Sequence, residues 1–319
     1  MVSLFFYTNI WGICTFAKII VKEMMARLKR KYFFFIITTV VILVISIPFI
    51  FIHLNMTKIS YGTLPFDKNK ELLFLNETLI WDTGAYGSVL FESSKDKIPN
   101  KIQIGFSLSI DAFNKTQLEK LYFSKQHTFV DSFNIYNFFF LTLKSNPTMH
   151  KDKMGIMGMN VISTANWLID FTSGKIVFFS RDKIYKTKQK LQLNLKYKRN
   201  RNPKTQLDFS VCQCENVLID AGFTEELALL ESDIKIINKL YKPVDTLKSN
   251  RYGIYSTTPV IQNCYVYDTI RINDVCFNNI QILEGNKRLI GFKFFKRFEK
   301  VYLNTKEKRF YFYSADADL

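Results

Sequence analysis

Two short stretches place a carboxylate where it could do chemistry. Asp82-Thr83-Gly84-Ala85 follows the apolar run Leu79, Ile80, Trp81, and Asp220-Ala221-Gly222 follows Val217, Leu218, Ile219. Asp with Gly after a strand is also an ordinary turn signal, so either stretch alone decides little. A pair would decide more. Two carboxylates about 3 Å apart cannot both ionise, so they hold one proton between them. The ionised member can take a proton from water, and the protonated member can donate to the carbonyl oxygen under attack. That hydrolyses an amide by general acid/base catalysis without a metal or a covalent intermediate. The Gly after each Asp-X permits a tight turn and lets backbone N–H groups approach the carboxylates.

The elements that would position such a pair recur along the chain. The two Asp residues are 138 positions apart. FNIYNFFFLTL at 133–143 resembles IRINDVCFNNIQIL at 270–283, each read as alternating strands broken by an Asn-containing turn. Ile156-Met157-Gly158 matches Leu289-Ile290-Gly291 at an offset of 133, and IDFTSGKIVFF matches LNTKEKRFYFY at 134. Four features in one order at nearly one spacing mark a duplicated lobe, because this period is too long for a solenoid. Each lobe reads as mainly β. Ile102, Ile104, Phe106, Leu108 and Ile110 alternate as a half-buried strand should. The best helix candidate spans 224–240, with Ser232 as an internal cap and Ile234, Ile237 and Leu240 on one face.

These motifs resemble an aspartic protease of the pepsin-like or retropepsin-like kind, over roughly residues 60–314. The resemblance implies two homologous β-barrel-like lobes of the acid protease fold, with Asp82 and Asp220 as the catalytic dyad. A water would sit between them and a peptide would lie extended across the cleft. Thr83, Gly84 and Ala85 in the first lobe, with Ala221 and Gly222 in the second, would form the active-site loops. Gly158 and Gly291 would support them, each apolar-apolar-Gly strand packing by its Asp loop in a ψ-shaped lobe core. Asp-Thr-Gly-Ala is closest to the retropepsin form. Two copies in one chain imply a monomer with an intramolecular dyad, where retroviral enzymes use a homodimer. The family expects Thr or Ser after each Asp; Thr83 fits and Ala221 does not. Losing one hydroxyl that bonds across the lobes costs about 1 kcal/mol. The alternative is a catalytically inactive binding or assembly module on the same fold.

The rest of the sequence bounds these readings. At 319 residues and 48% hydrophobic, the chain has ample material for a core. Its net charge is +16, of which residues 1–55 hold +5. The densest basic run, Lys183 to Lys204, has nine basic residues and no acid, and reads as a solvated linker face. It lacks the interleaved aromatics of single-strand nucleic-acid binders, and no nucleic-acid partner is expected. Residues 33–53, FFFIITTVVILVISIPFIFIH, carry no Asp, Glu, Lys or Arg and are long enough for a single-pass membrane helix. The basic cluster at 26–31 precedes it and puts the C-terminal body outside the cytoplasm. A cleaved signal peptide is the rival, but no A-x-A spacing follows. Met24 or Met25 as the start would leave the same basic-then-apolar layout.

Cys212, Cys214, Cys264 and Cys276 fall in the second lobe, where a disulfide or buried free thiols are equally open. With only His53, His127 and His150, metal-hydrolase and Ser–His chemistries lack partners, and no cofactor is expected. The sequon Asn76-Glu77-Thr78 is discounted, because it lies on a predicted strand beside the Asp82 loop. The expected organisation is a cytoplasmic basic segment at 1–32, an anchor at 33–53 and a first lobe at 58–182. A basic inter-lobe linker and the start of the second lobe occupy 183–204, and the second lobe 205–316. The function these point to is a membrane-anchored endopeptidase with a peptide or protein substrate.

Overall fold

The computed structural model describes residues 35–39, 56–75, 78–111, 113–129, 133–143, 153–251 and 259–314. The first repeat runs β1 (Lys58–Ile59), β2 (Gly62–Pro65), β3 (Phe74–Leu75), β4 (Leu79–Trp81), β5 (Ser88–Phe91), a 3-10 turn at Glu92–Lys97, β6 (Ile102–Ile110), β7 (Thr116–Thr128), β8 (Asn134–Leu143), β9 (Gly155–Met157), helix α1 (Met159–Ile162), β10 (Asn166–Asp170) and β11 (Lys175–Phe179). The second runs β12 (Lys190–Lys196), β13 (Lys204–Asp208), β14 (Gln213–Ile219), β15 (Leu227–Leu229), helix α2 (Glu231–Leu240), β16 (Asp245–Arg251), β17 (Val260–Ile272), β18 (Val275–Glu284), β19 (Leu289–Ile290), helix α3 (Phe292–Phe295), β20 (Lys300–Asn304) and β21 (Arg309–Ser314).

The duplication read from the sequence is also a duplication of topology. One sheet has the order β3-β4-β9-β5-β8-β7-β6 and the other β13-β14-β19-β15-β18-β17-β16, so strand for strand they correspond. In each, the strand before the Asp pairs in parallel with the apolar-apolar-Gly strand: Trp81 with Met157, Ile219 with Ile290. A third sheet, β12-β21-β20-β10-β11-β2, draws on both halves. Its centre is the antiparallel contact of β10 with β20, where Trp167 faces Leu303. The core follows from composition. Trp81 and Trp167 pack edge to face at 6.0 Å, and Phe294, Phe295, Phe298, Phe310 and Phe312 form a buried aromatic cluster in the second half. Large rings bury the most apolar area per residue, which suits a chain with 31 Phe.

Several expectations need correction. The described sheets are open paths and not closed barrels. The helix predicted over 224–240 begins only at Glu231; Leu227–Leu229 is a strand buried on both faces. Ser232 does not cap it. Asp233 does part of that work, its carboxylate accepting the Leu230 N–H at 3.2 Å. Ile102–Ile110 is a strand as predicted, yet Ile102, Leu108 and Ile110 are exposed on this last strand of the sheet order. Asn137 makes no turn: it lies inside β8 at φ 51, as Asn279 lies inside β18 at φ 50. Asn tolerates that left-handed backbone better than most residues. The hairpin turn predicted in the second copy is present, at Asn273 and Asp274. The basic segment is more than a connection, since it supplies β12, paired with β21. Cys212, Cys214, Cys264 and Cys276 are all free thiols. Among the described residues no helix is long and apolar enough to cross a membrane. Of the predicted span 33–53, only 35–39 is described, and it is helical; the rest, like the sequon residues Asn76 and Glu77, lies outside the described residues.

Candidate active site

The two Asp loops meet where the lobes face each other. Asp82 is held at the end of β4 by its N–H donating to the Met157 carbonyl at 3.1 Å, and Asp220 at the end of β14 by the same bond to Ile290 at 2.8 Å. Each loop is then pinned by the helix that follows the apolar-apolar-Gly strand. The Met159 N–H donates to the Ala85 carbonyl and the Phe292 N–H to the Phe223 carbonyl, both at 2.8 Å. Gly158 and Gly291 stand where these segments nearly touch. A Cβ on Gly158 would come within 2.6 Å of the Gly87 backbone, and one on Gly291 would overlap the Glu225 carbonyl.

The carboxylates themselves are hydrogen-bonded to each other. Each also lies over the glycine of the opposite loop. A Cβ on Gly84 would fall on the Asp220 carboxyl group, and one on Gly222 on the Asp82 carboxyl group. Only glycine permits that approach from both sides. The environment of the pair is unequal. Asp82 Oδ1 accepts the Gly84 and Ala85 N–H groups at 2.7 and 3.0 Å, whereas Asp220 Oδ1 accepts the Gly222 N–H at 3.0 Å. Burial raises the Asp82 carboxyl, while the Asp220 hydrogen bond and these N–H groups oppose the rise. Burial first, then the charge of Asp82, pushes Asp220 well above the ordinary carboxylate range. Both carboxyls are thus raised, Asp220 the more strongly, and Asp82 accepts the larger share of the backbone N–H groups.

Thr83 ties the loops together from beneath. Its hydroxyl donates to the Ile219 carbonyl at 2.7 Å and accepts the Ala221 N–H at 3.0 Å, both buried and both across the lobes. Ala221 has no hydroxyl to reciprocate, yet its backbone takes part in the bridge. Behind the first loop, Asn160 Oδ1 accepts the Ser88 N–H and hydroxyl at 2.8 Å, and Ser88 Oγ accepts the Gly158 N–H at 3.1 Å. In the second lobe Glu226, at the position matching Ser88, accepts from Gln281 N–H and from Arg297.

Every predicted site residue is thus gathered at one place. The dyad opens on a cleft of about 2140 Å³. That exceeds the roughly 300–1,000 Å³ usual for a small-molecule site and suits an extended chain. Sequence reasoning expects a hairpin of the first lobe to cover it but names none of its residues. The β6–β7 hairpin carries Leu108, Ser109, Ile110 and Asp111 into the cleft lining, and Lys287 of the second lobe donates to the Asp111 carbonyl at 3.2 Å. Alternation in β6 was visible, but nothing in one sequence says that a hairpin leans across a cleft. Tyr86 and Arg251, also in the lining, were missed as well.

No family model and no curated protein matches the chain. Among solved structures it is similar to a retropepsin-like aspartic protease from Rickettsia conorii, at 14% identity and a TM-score of 0.29, over 41% of this chain and 98% of that one. It is also similar to conglutin gamma, a basic 7S globulin from lupine seeds, at 10% identity and a TM-score of 0.48, over 82% and 96%. Neither likeness is close enough to bear on chemistry, which rests on the residues above.

Proposed function

We propose that this chain is an aspartic endopeptidase, with Asp82 as the base that activates water and Asp220 as the acid that protonates the scissile carbonyl. The observation that carries the reading is the mutual approach of the two carboxylates, each over the other loop's glycine. A binding module has no need of two carboxyls buried against each other, since holding them there opposes ionisation. The unequal N–H donation fits the division of labour between base and acid. In this reading Ala221 is tolerated because Thr83 alone still bridges the loops through two hydrogen bonds.

The test uses the full chain in a nonionic detergent, incubated with a diverse peptide library from acid to neutral pH, with cleavage read by mass spectrometry. Wild type should cleave and Asp82→Asn should not. An active Asp82→Asn protein sinks the proposal. A well-folded wild type that cleaves nothing returns the chain to the inactive-module alternative.

We further propose that residues 33–53 anchor the protein in a membrane with the lobes outside the cytoplasm, a reading supported by the sequence alone. External protease added to intact cells should then digest the lobes. Full protection until the cells are opened overturns that orientation.

A further inference from the structure

The walls around the dyad are cationic in a patterned way. Four residues past Asp82, the Tyr86 hydroxyl accepts from Arg201 Nη1 at 2.6 Å, and the guanidinium lies 5.3 Å from the Tyr86 ring centre. Four residues past Asp220, the Thr224 hydroxyl accepts from Arg251 Nη1 at 2.7 Å, and that guanidinium lies 4.6 Å from the Phe223 ring centre. The second half therefore sets one arginine against each Asp loop, on acceptors at equivalent positions of the two loops, Tyr86 and Thr224.

Their charges are not equally available. Arg251 pairs with Glu225 at 3.2 Å. Arg201 has no carboxylate partner among the described residues, nor do Arg199, Lys204 and Lys287, which line the same cleft. The acids of the lining outside the dyad are Glu71, Asp111 and Glu225. Asp111 Oδ1 accepts the Phe113 and Lys115 N–H groups of its own turn at 2.8 Å, while its Oδ2 is buried without a hydrogen-bond partner among the described residues. The cleft is left with a positive excess concentrated on the loop 199–204.

We propose that the cleft selects acidic peptides, those that bring an Asp or Glu side chain to Arg201 and Arg199 while the scissile bond lies on the dyad. This rests on the endopeptidase reading above. Arginine stays charged at any working pH and binds carboxylate through a planar fork. Tyr86 already orients Arg201, so little side-chain freedom is lost on binding.

The test pairs peptides carrying Asp or Glu with isosteres carrying Asn or Gln, using the full chain in nonionic detergent. At about pH 5.5 and low salt, kcat/KM should favour the acidic member by about tenfold, the equivalent of one good charge pair. The ratio should fall toward unity in about 0.5 M NaCl, and again near pH 3.5, where substrate carboxyls protonate. The double variant Arg199→Gln, Arg201→Gln should lose most of it. Cleavage without acidic preference, or a preference that survives the double variant, overturns the inference and leaves the dyad reading intact. A second arm measures binding of the same labelled peptides to Asp82→Asn protein by fluorescence anisotropy. Tighter acidic binding there, with no cleavage by wild type, keeps the charge reading and fells the dyad. Heparin or phosphatidylglycerol vesicles that bind this surface more tightly than the acidic peptide also overturn it, in favour of a general anion surface.

Discussion

At the residue scale the dyad sets a pH dependence with a definite sign. Burial and the Asp82 charge raise the Asp220 carboxyl in the folded state, so the native protein holds a proton that an unfolded Asp releases near pH 4. That contribution to stability is present in full below the unfolded value and is lost as pH rises through the folded one. Asp220→Asn removes the loss. The variant should therefore gain stability over wild type as pH rises above about 4, at about 1.4 kcal/mol for each pH unit separating the folded and unfolded values. Urea denaturation across that range checks it; parallel curves for the two proteins sink the assignment of the proton. Both Asp residues were legible in the sequence, because Asp-X-Gly after an apolar run is local chemistry repeated once. Arg201, Arg251 and Tyr86 were not. Their meaning comes from contacts between residues far apart in the chain, 115 positions for Arg201 with Tyr86 and 27 for Arg251 with Thr224, and nothing in their own neighbourhood signals it.

At the scale of elements, the repeat order was legible because each ψ-shaped unit needs the same parts: a strand into Asp, a glycine-ended strand beside it, and a short helix. The boundaries were less legible. The apolar Leu227–Leu229 runs almost directly into the amphipathic Glu231–Leu240, and periodicity alone cannot separate a short buried strand from the start of a helix. Burial of β6 was misread because alternation reports a two-faced strand without saying what, if anything, covers the apolar face. One polar group holds the second lobe's elements in place. Glu226 is buried to 4% exposure, pairs with Arg297 at 2.8 Å and accepts the Gln281 N–H at 2.7 Å, joining the Asp220 loop to β18 and the end of α3. Removing one partner of a buried pair leaves the other uncompensated. Glu226→Ala should cost about 3–5 kcal/mol, and Glu226→Gln less, because an amide still accepts. Equilibrium unfolding in urea measures both; a loss under about 1 kcal/mol for Glu226→Ala shows that the network does not hold the loop.

At the scale of the whole molecule, the two lobes are not independent units joined by a string. The segment predicted as a linker is strand β12, at one edge of the shared sheet, and β2 from the start of the first lobe is at the other. Between them β10 and β20 meet along Trp167 to Asp170 and Lys300 to Leu303, with nearly every residue buried. Separating the halves would expose this pairing as an apolar edge, the arrangement most prone to aggregation. The chain should accordingly unfold as one cooperative unit despite its repeat. Calorimetry of the full chain should give a single transition whose calorimetric and van't Hoff enthalpies agree. Residues 1–182 and 183–319 expressed apart should each fail to fold, and should recover a native-like transition only when refolded together. Two resolved transitions in the full chain would mean that each lobe's own sheet outweighs the shared one. The dyad would then be held only by the Thr83 bridge and its neighbours, and its geometry would depend on how two separately stable lobes happen to dock.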